Sequence, residues 1–114
     1  MNMSILDKAK KHYKAKMSAE PRQLYVKEWD ETVYIKPGIN LQHLGEIMQA
    51  ASSGKSAEAM ALTLIYRIMD EEGKPLFKKV DKLELMRHVD PDVMAEIVNN
   101  INDNDPDQED AAGN

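Results

Sequence analysis

A chain of 114 residues with a net charge of −5 and no cysteine has room for one domain with a modest core, and it excludes a disulfide framework or a thiolate metal site. Eight methionines against 5% aromatic residues shift that core towards flexible aliphatic side chains. Lys8, Lys10 and Lys11 interrupt the apolar start that a signal peptide needs, and the longest apolar-rich run, 57–69, is too short to span a bilayer and contains Arg67, so a soluble intracellular protein is expected.

Charge is distributed unevenly along the chain. Residues 1–36 hold eight Lys or Arg against five Asp or Glu, whereas residues 103–114 hold no basic residue and five acidic ones. "SILDKAKKHYKAKM" begins with Ser4 as an N-cap and places Leu6, Ala9, Tyr13 and Met17 on one helical stripe. The other faces of this helix are largely lysine, so its apolar seam is narrow and its docking weak. Pro21 ends it.

From Leu24 to Lys36 the apolar period changes from 3.6 to 2, with Leu24 and Val26 on one face and Val33 and Ile35 opposite them after a polar turn at Asp30-Glu31. This predicts a β-hairpin with Tyr25, Trp29 and Tyr34 on or near its other face. Asn40 then caps a helix to about Ala51, carrying Leu41, Leu44, Ile47, Met48 and Ala51 at helical spacing. After the loop "SSGKS", Ser56 caps a helix to Met69 whose apolar residues cover more than half its circumference, the expected centre of the core.

"DEEGKP" predicts a turn that returns Leu76 and Phe77 to the core. Asp81 with Glu84 predicts a capped short helix through Leu83, Met86 and Val89, and Asp90-Pro91 opens a last helix with Val93, Met94, Ile97, Val98 and Ile101 on one side. The sum is an α+β fold, an N-terminal helix and a β-hairpin packed on a C-terminal bundle of about four helices. Its parts are a basic amphipathic helix at 1–20, a globular domain at 21–102 and a disordered acidic tail at 103–114.

No stretch carries recognisable chemistry. His12, His43 and His88 fall on three separate predicted helices without metal-ligand spacing. Asp103, Asp105 and Asp107 match the start of a calcium loop, but Gln108 stands where its glycine belongs and Asn114 where its glutamate belongs. The Gly-Lys-Ser of "SSGKS" lacks both the first glycine of a phosphate loop and a preceding strand. No cofactor and no catalytic residue are expected. The lysine helix also fits a small nucleic-acid-associated regulator, the alternative function, although no groove-reading motif accompanies it.

Three pieces taken together resemble a known family. "EWDETVYIKP" supplies Glu28, Trp29, Val33, Tyr34, Ile35 and Lys36; "DEEGKPLF" supplies Asp70, Gly73, Lys74, Pro75, Leu76 and Phe77; and "DKLELMRHVDPDVMAEIVNNIN" supplies Asp81, Leu83 and a closing Asn99 or Asn100. Over about residues 24 to 102 the chain resembles the tail assembly chaperones of long-tailed, lambda-like bacteriophages. The resemblance implies a non-catalytic chaperone, acting in the bacterial host cytoplasm, that binds the tape measure protein, keeps it soluble and helps recruit tail tube subunits. It also implies, for many members, a longer form made by translational frameshift. The partners expected are therefore tape measure protein, tail tube protein and further copies of the chain, with no membrane and no nucleic acid. The partner-binding candidates are Leu6, Tyr13, Met17, Trp29, Tyr34 and Met48.

Overall fold

The capping chemistry written into the sequence sets most of the element boundaries in the computed structural model, which describes residues 3–103. Helix α1 (Ile5–Met17) starts where Ser4 Oγ accepts the Asp7 N–H at 3.0 Å. Helix α2 (Leu41–Ser52) starts where Asn40 Oδ1 accepts the His43 N–H at 2.7 Å. Helix α5 (Pro91–Asp103) starts at Pro91, with Asp90 Oδ1 accepting the Asp92 N–H at 2.9 Å.

Two expected caps differ. Ser56 is the first residue of α3 (Ser56–Arg67) and makes no cap; Lys55 precedes it and instead donates its N–H to the Ala50 carbonyl, closing the α2–α3 loop tightly. The Asp81 carboxylate turns backwards, accepting the Lys78 N–H at 2.9 Å, and so closes a single 3₁₀ turn (Lys79–Asp81) that feeds into α4 (Lys82–His88).

The expected hairpin forms from β1 (Arg22–Val26) and β2 (Glu31–Ile35), with Leu24 opposite Val33, but Val26 pairs with Glu31 and Ile35 with Arg22, where the sequence suggests that the two apolar pairs face each other. Its turn lies one step earlier than expected. Residues 27–30 form two overlapping turns, closed by Trp29 N–H on the Val26 carbonyl and Asp30 N–H on the Lys27 carbonyl. Asp30 takes the left-handed conformation there (φ 49°), and its Oδ1 accepts the Tyr25 hydroxyl at 2.7 Å.

A third strand, β3 (Ile68–Met69), replaces the expected end of the third helix. It pairs antiparallel with β2, Tyr34 opposite Met69 and Ile35 opposite Ile68, giving the strand order β1-β2-β3. The switch occurs at Arg67. Its side chain is buried and donates through Nη2 (2.8 Å) and Nε (3.3 Å) to the Lys36 carbonyl, while the Lys36 N–H reaches the Arg67 carbonyl at 2.8 Å. Backbone groups released by the helix are thus taken up by the sheet, as burial requires.

Helix α3 is the hub, packing on α2, α4 and α5. Its Leu64, with Ile35 of the sheet, Ile68 of β3 and Ile101 of α5, is among the largest fully buried side chains of one core. Helix α5 buries Val93, Met94, Ile97 and Ile101, the face its periodicity predicts. Arg22 fastens β1 to the end of α5, donating to Asn100 Oδ1 at 3.1 Å and to the Asn100 and Ile101 carbonyls at 3.4 Å, a cation where the helix dipole favours one. The molecule is α+β, with an N-terminal helix and hairpin joined to a helical layer. The stretch 104–114, most of the expected acidic tail, lies outside the described residues, and Asp103 closes α5.

Candidate partner-binding surfaces

The most polar cluster of the described residues joins α2, α3 and the 3₁₀ turn. Glu46 accepts the Tyr66 hydroxyl and the Lys79 ammonium, each at 2.9 Å, and the His43 ring stacks on Tyr66 with centroids 3.8 Å apart. The hydrogen bond from Lys79, followed by that from Tyr66, holds the Glu46 carboxyl below its ordinary range, and the same bond raises Lys79 to about 12. Beside it Lys82 donates to Glu58 at 2.6 Å, which lowers the Glu58 carboxyl likewise. Each carboxylate is thus committed to a lysine and made less basic, the reverse of what a general base needs. The cluster is a clamp between helices. Among the described residues no group of three or more His, Asp or Glu is placed to hold a metal ion, and no helix is long and apolar enough to cross a membrane.

What remains is apolar surface, and the fold exposes it in an orderly way. At 100° per residue, the inward side of α2 carries His43, Glu46, Ile47 and Ala50. Its more apolar stripe, Leu41, Leu44 and Met48, lies roughly 140° away by the same helical geometry and faces solvent. Leu41 is 82% exposed and Met48 60%. Helix α1 buries no residue at all: Leu6 is 67% exposed and Tyr13 is open. Its last turn alone is seated, over Gly38, where an added Cβ would lie 3.3 Å from Lys16 Cε and Met17 Sδ. The two stripes converge on a groove of about 580 Å³ in which Ala9 and Tyr13 of α1 face Ile39 and Leu41, flanked by Lys10 and Lys14. Helix α4 also departs from expectation. It buries Leu85, pulled inward where Lys82 grips Glu58 of α3, and leaves Leu83 and Met86 exposed.

A second concavity, of about 790 Å³, lies over the sheet. Tyr25, Trp29, Tyr34 and Phe77 supply its aromatic walls, and Trp29 stands edge-on to Phe77 at 6.1 Å and 75°. Trp29 is half-buried, packed against the core and edge-on to Phe77 of the connection after β3. That connection is shaped by Asp70, whose Oδ1 accepts the N–H groups of Glu72 and Lys74, and by Gly73 at φ +87°. Leu76 stays exposed while Phe77 reaches the core.

The six candidate residues therefore divide between two faces. Leu6, Tyr13 and Met48 belong to the α1–α2 stripes, with Met17 half-buried beneath them at Gly38; Trp29 and Tyr34 belong to the sheet groove. Leu41 and Leu44, read from the sequence as part of one stripe with Ile47, turn out to be its solvent-facing members, a fact that periodicity alone does not carry. Asp70, Glu71 and Glu72, at the start of the expected "DEEGKP" turn, line the sheet groove.

The fold has a solved counterpart. The structure of bacteriophage HK97 tail assembly chaperone superposes with a TM-score of 0.62 at 15% identity, covering 85% of this chain and 92% of that one. A search of curated proteins returns no match. The profile of the phage tail assembly chaperone (TAC) family matches residues 4–104, nearly the whole chain. The protein is a member of the phage tail assembly chaperone family.

Proposed function

We propose that the protein binds the tape measure protein during tail morphogenesis in the host cytoplasm, keeps it soluble without catalysing any reaction, and helps to bring tail tube subunits to it. The observation that carries this is the pair of solvent-facing apolar stripes on α1 and α2, which meet at one groove although the chain has a complete core without them. A long helical client needs such a surface before its own partners arrive. Met48 and Met17 sit on or beside the stripes, and unbranched thioether side chains repack against differing client sequences at little cost. Tyr13 and Leu6 extend the contact along α1, where the lysines favour acidic flanks on the client. Several copies along one client, associated with each other, complete the scheme. A longer frameshifted product belongs to it as well.

Co-expression with the tape measure protein tests it. The full chain should raise the soluble fraction of that protein and copurify with it in more than one copy. A tape measure protein equally soluble alone, or one that never copurifies, would sink the proposal.

A further inference from the structure

The sheet groove has a character unlike that of the α1–α2 stripes. Its walls are the rings of Tyr25, Trp29, Tyr34 and Phe77, and around them stand the carboxylates of Asp30, Glu31, Asp70, Glu71 and Glu72. The basic side chain tied to this rim is Lys74, on Glu72 at 3.6 Å, with both partners largely in water. Asp70 Oδ1 accepts the N–H groups of its own loop, and Asp30 Oδ1 accepts the Tyr25 hydroxyl. A purely apolar occupant would strip water from these carboxylates, and the partners that three of them have would offset only part of that cost. An acidic one would be repelled. The chemistry that satisfies rings and carboxylates together is a planar cation, which stacks on aromatic faces and donates sideways.

We infer that this groove docks an arginine-bearing segment of a partner protein, its guanidinium groups stacked among the tyrosine and tryptophan rings and neutralised by the rim. The inference is independent of the tape measure reading, since it uses the sheet and the 70–77 connection rather than α1 and α2.

Trp29, the only tryptophan, lines the groove and reports its filling. The full-length protein is titrated with the peptide acetyl-Gly-Arg-Leu-Gly-Arg-Leu-Gly-Arg-Gly-amide and with its twin carrying Glu for Arg. The arginine peptide should shift or quench Trp29 emission, with affinity falling about tenfold or more from low to high salt, and the acidic twin should leave it unchanged. The double variant Glu31→Lys with Glu71→Lys should weaken binding by about tenfold, while Glu84→Lys with Glu96→Lys, which changes net charge equally but elsewhere, should leave it within about twofold. Three results would overturn the inference: no response of Trp29, equal losses in both double variants, or self-association of the protein alone that the groove variant abolishes and that excludes the peptide. The last would assign the groove to the lysine helix of a second copy.

Discussion

Replacing Leu41 and Met48 by glutamine together separates the folding role of the α2 stripe from its proposed work on a client. Glutamine matches methionine in length, is close to leucine in size and nearly keeps the helix propensity of both, so α2 itself should be unaffected. Full burial of such a side chain is worth about 1.5 to 3 kcal/mol. With 82% of Leu41 and 60% of Met48 still in water, the isolated chain uses the smaller part of that. The buried fractions, roughly 0.2 of Leu41 and 0.4 of Met48, together account for about 1 to 1.7 kcal/mol, so stability should fall by no more than that, a shift of about 5 to 10 °C in Tm by circular dichroism. A client that covers both residues recovers most of the unused part, roughly 2 to 4 kcal/mol for the pair, so the variant should bind tape measure protein about thirty- to several-hundred-fold more weakly. Titration calorimetry with a soluble tape measure fragment measures the one, and a thermal melt the other. A fall in Tm of about 20 °C or more would mean that the stripe is structural, and an unchanged Kd would mean that the client docks elsewhere.

Three further outcomes follow from the same geometry. Arg67→Ala should destabilise the fold by about 1 to 3 kcal/mol, read from urea unfolding, because it leaves the part-buried Lys36 carbonyl without the guanidinium that caps it. Gly73→Ala meets no atom within 4 Å, so its cost should be the backbone's alone, about 1 kcal/mol for a side chain at φ +87°, and differential scanning calorimetry should find it without any change in secondary structure. In a series of melts against pH, Glu46, whose carboxyl is lowered by Lys79, should contribute stability that is present above the ordinary carboxylate value of 4.5 and lost as pH falls through its lower folded value. Glu46→Gln should remove that part of the acid slope. On the alkaline side the contribution of Lys79, complete below 10.5, should fade as pH rises through about 12.

Local signals in the chain were sufficient wherever one residue answers a neighbour a few positions away. Ser4, Asn40 and Asp90 cap the helices they precede, and the alternation around Leu24 and Val33 marks the two strands of the hairpin because each pairs with the next, although it left the turn, and with it the register, displaced. Non-local pairing is where such signals stop. In "LTLIYRIMD" nothing local ends the helix at Arg67; β2 ends it, by offering Lys36 backbone groups that α3 cannot supply for itself. Asp81 shows the same limit at shorter range, since its carboxylate had two candidate N–H groups and the 3₁₀ turn took it backwards.

Helix α2 shows why a surface for partners is harder to read than a core. Periodicity reports that Leu41, Leu44 and Met48 share a side, and the ordinary inference is that the apolar side faces inward. Here the inward side is held instead by the small Ala50 packed close to α3 and by His43 and Glu46 satisfied against Tyr66 and Lys79, polar groups that tolerate burial because each has its partner. Once that clamp fixes the rotation of α2, its greasier stripe has no neighbour left within the chain. The lysines of α1 work to the same end, since a helix that buries nothing cannot cover the stripe and can only border it. A fold that invests hydrogen bonds in turning leucine and methionine outward bears an exposure that isolated stability does not explain, and the free energy left unspent there becomes available only when another polypeptide arrives.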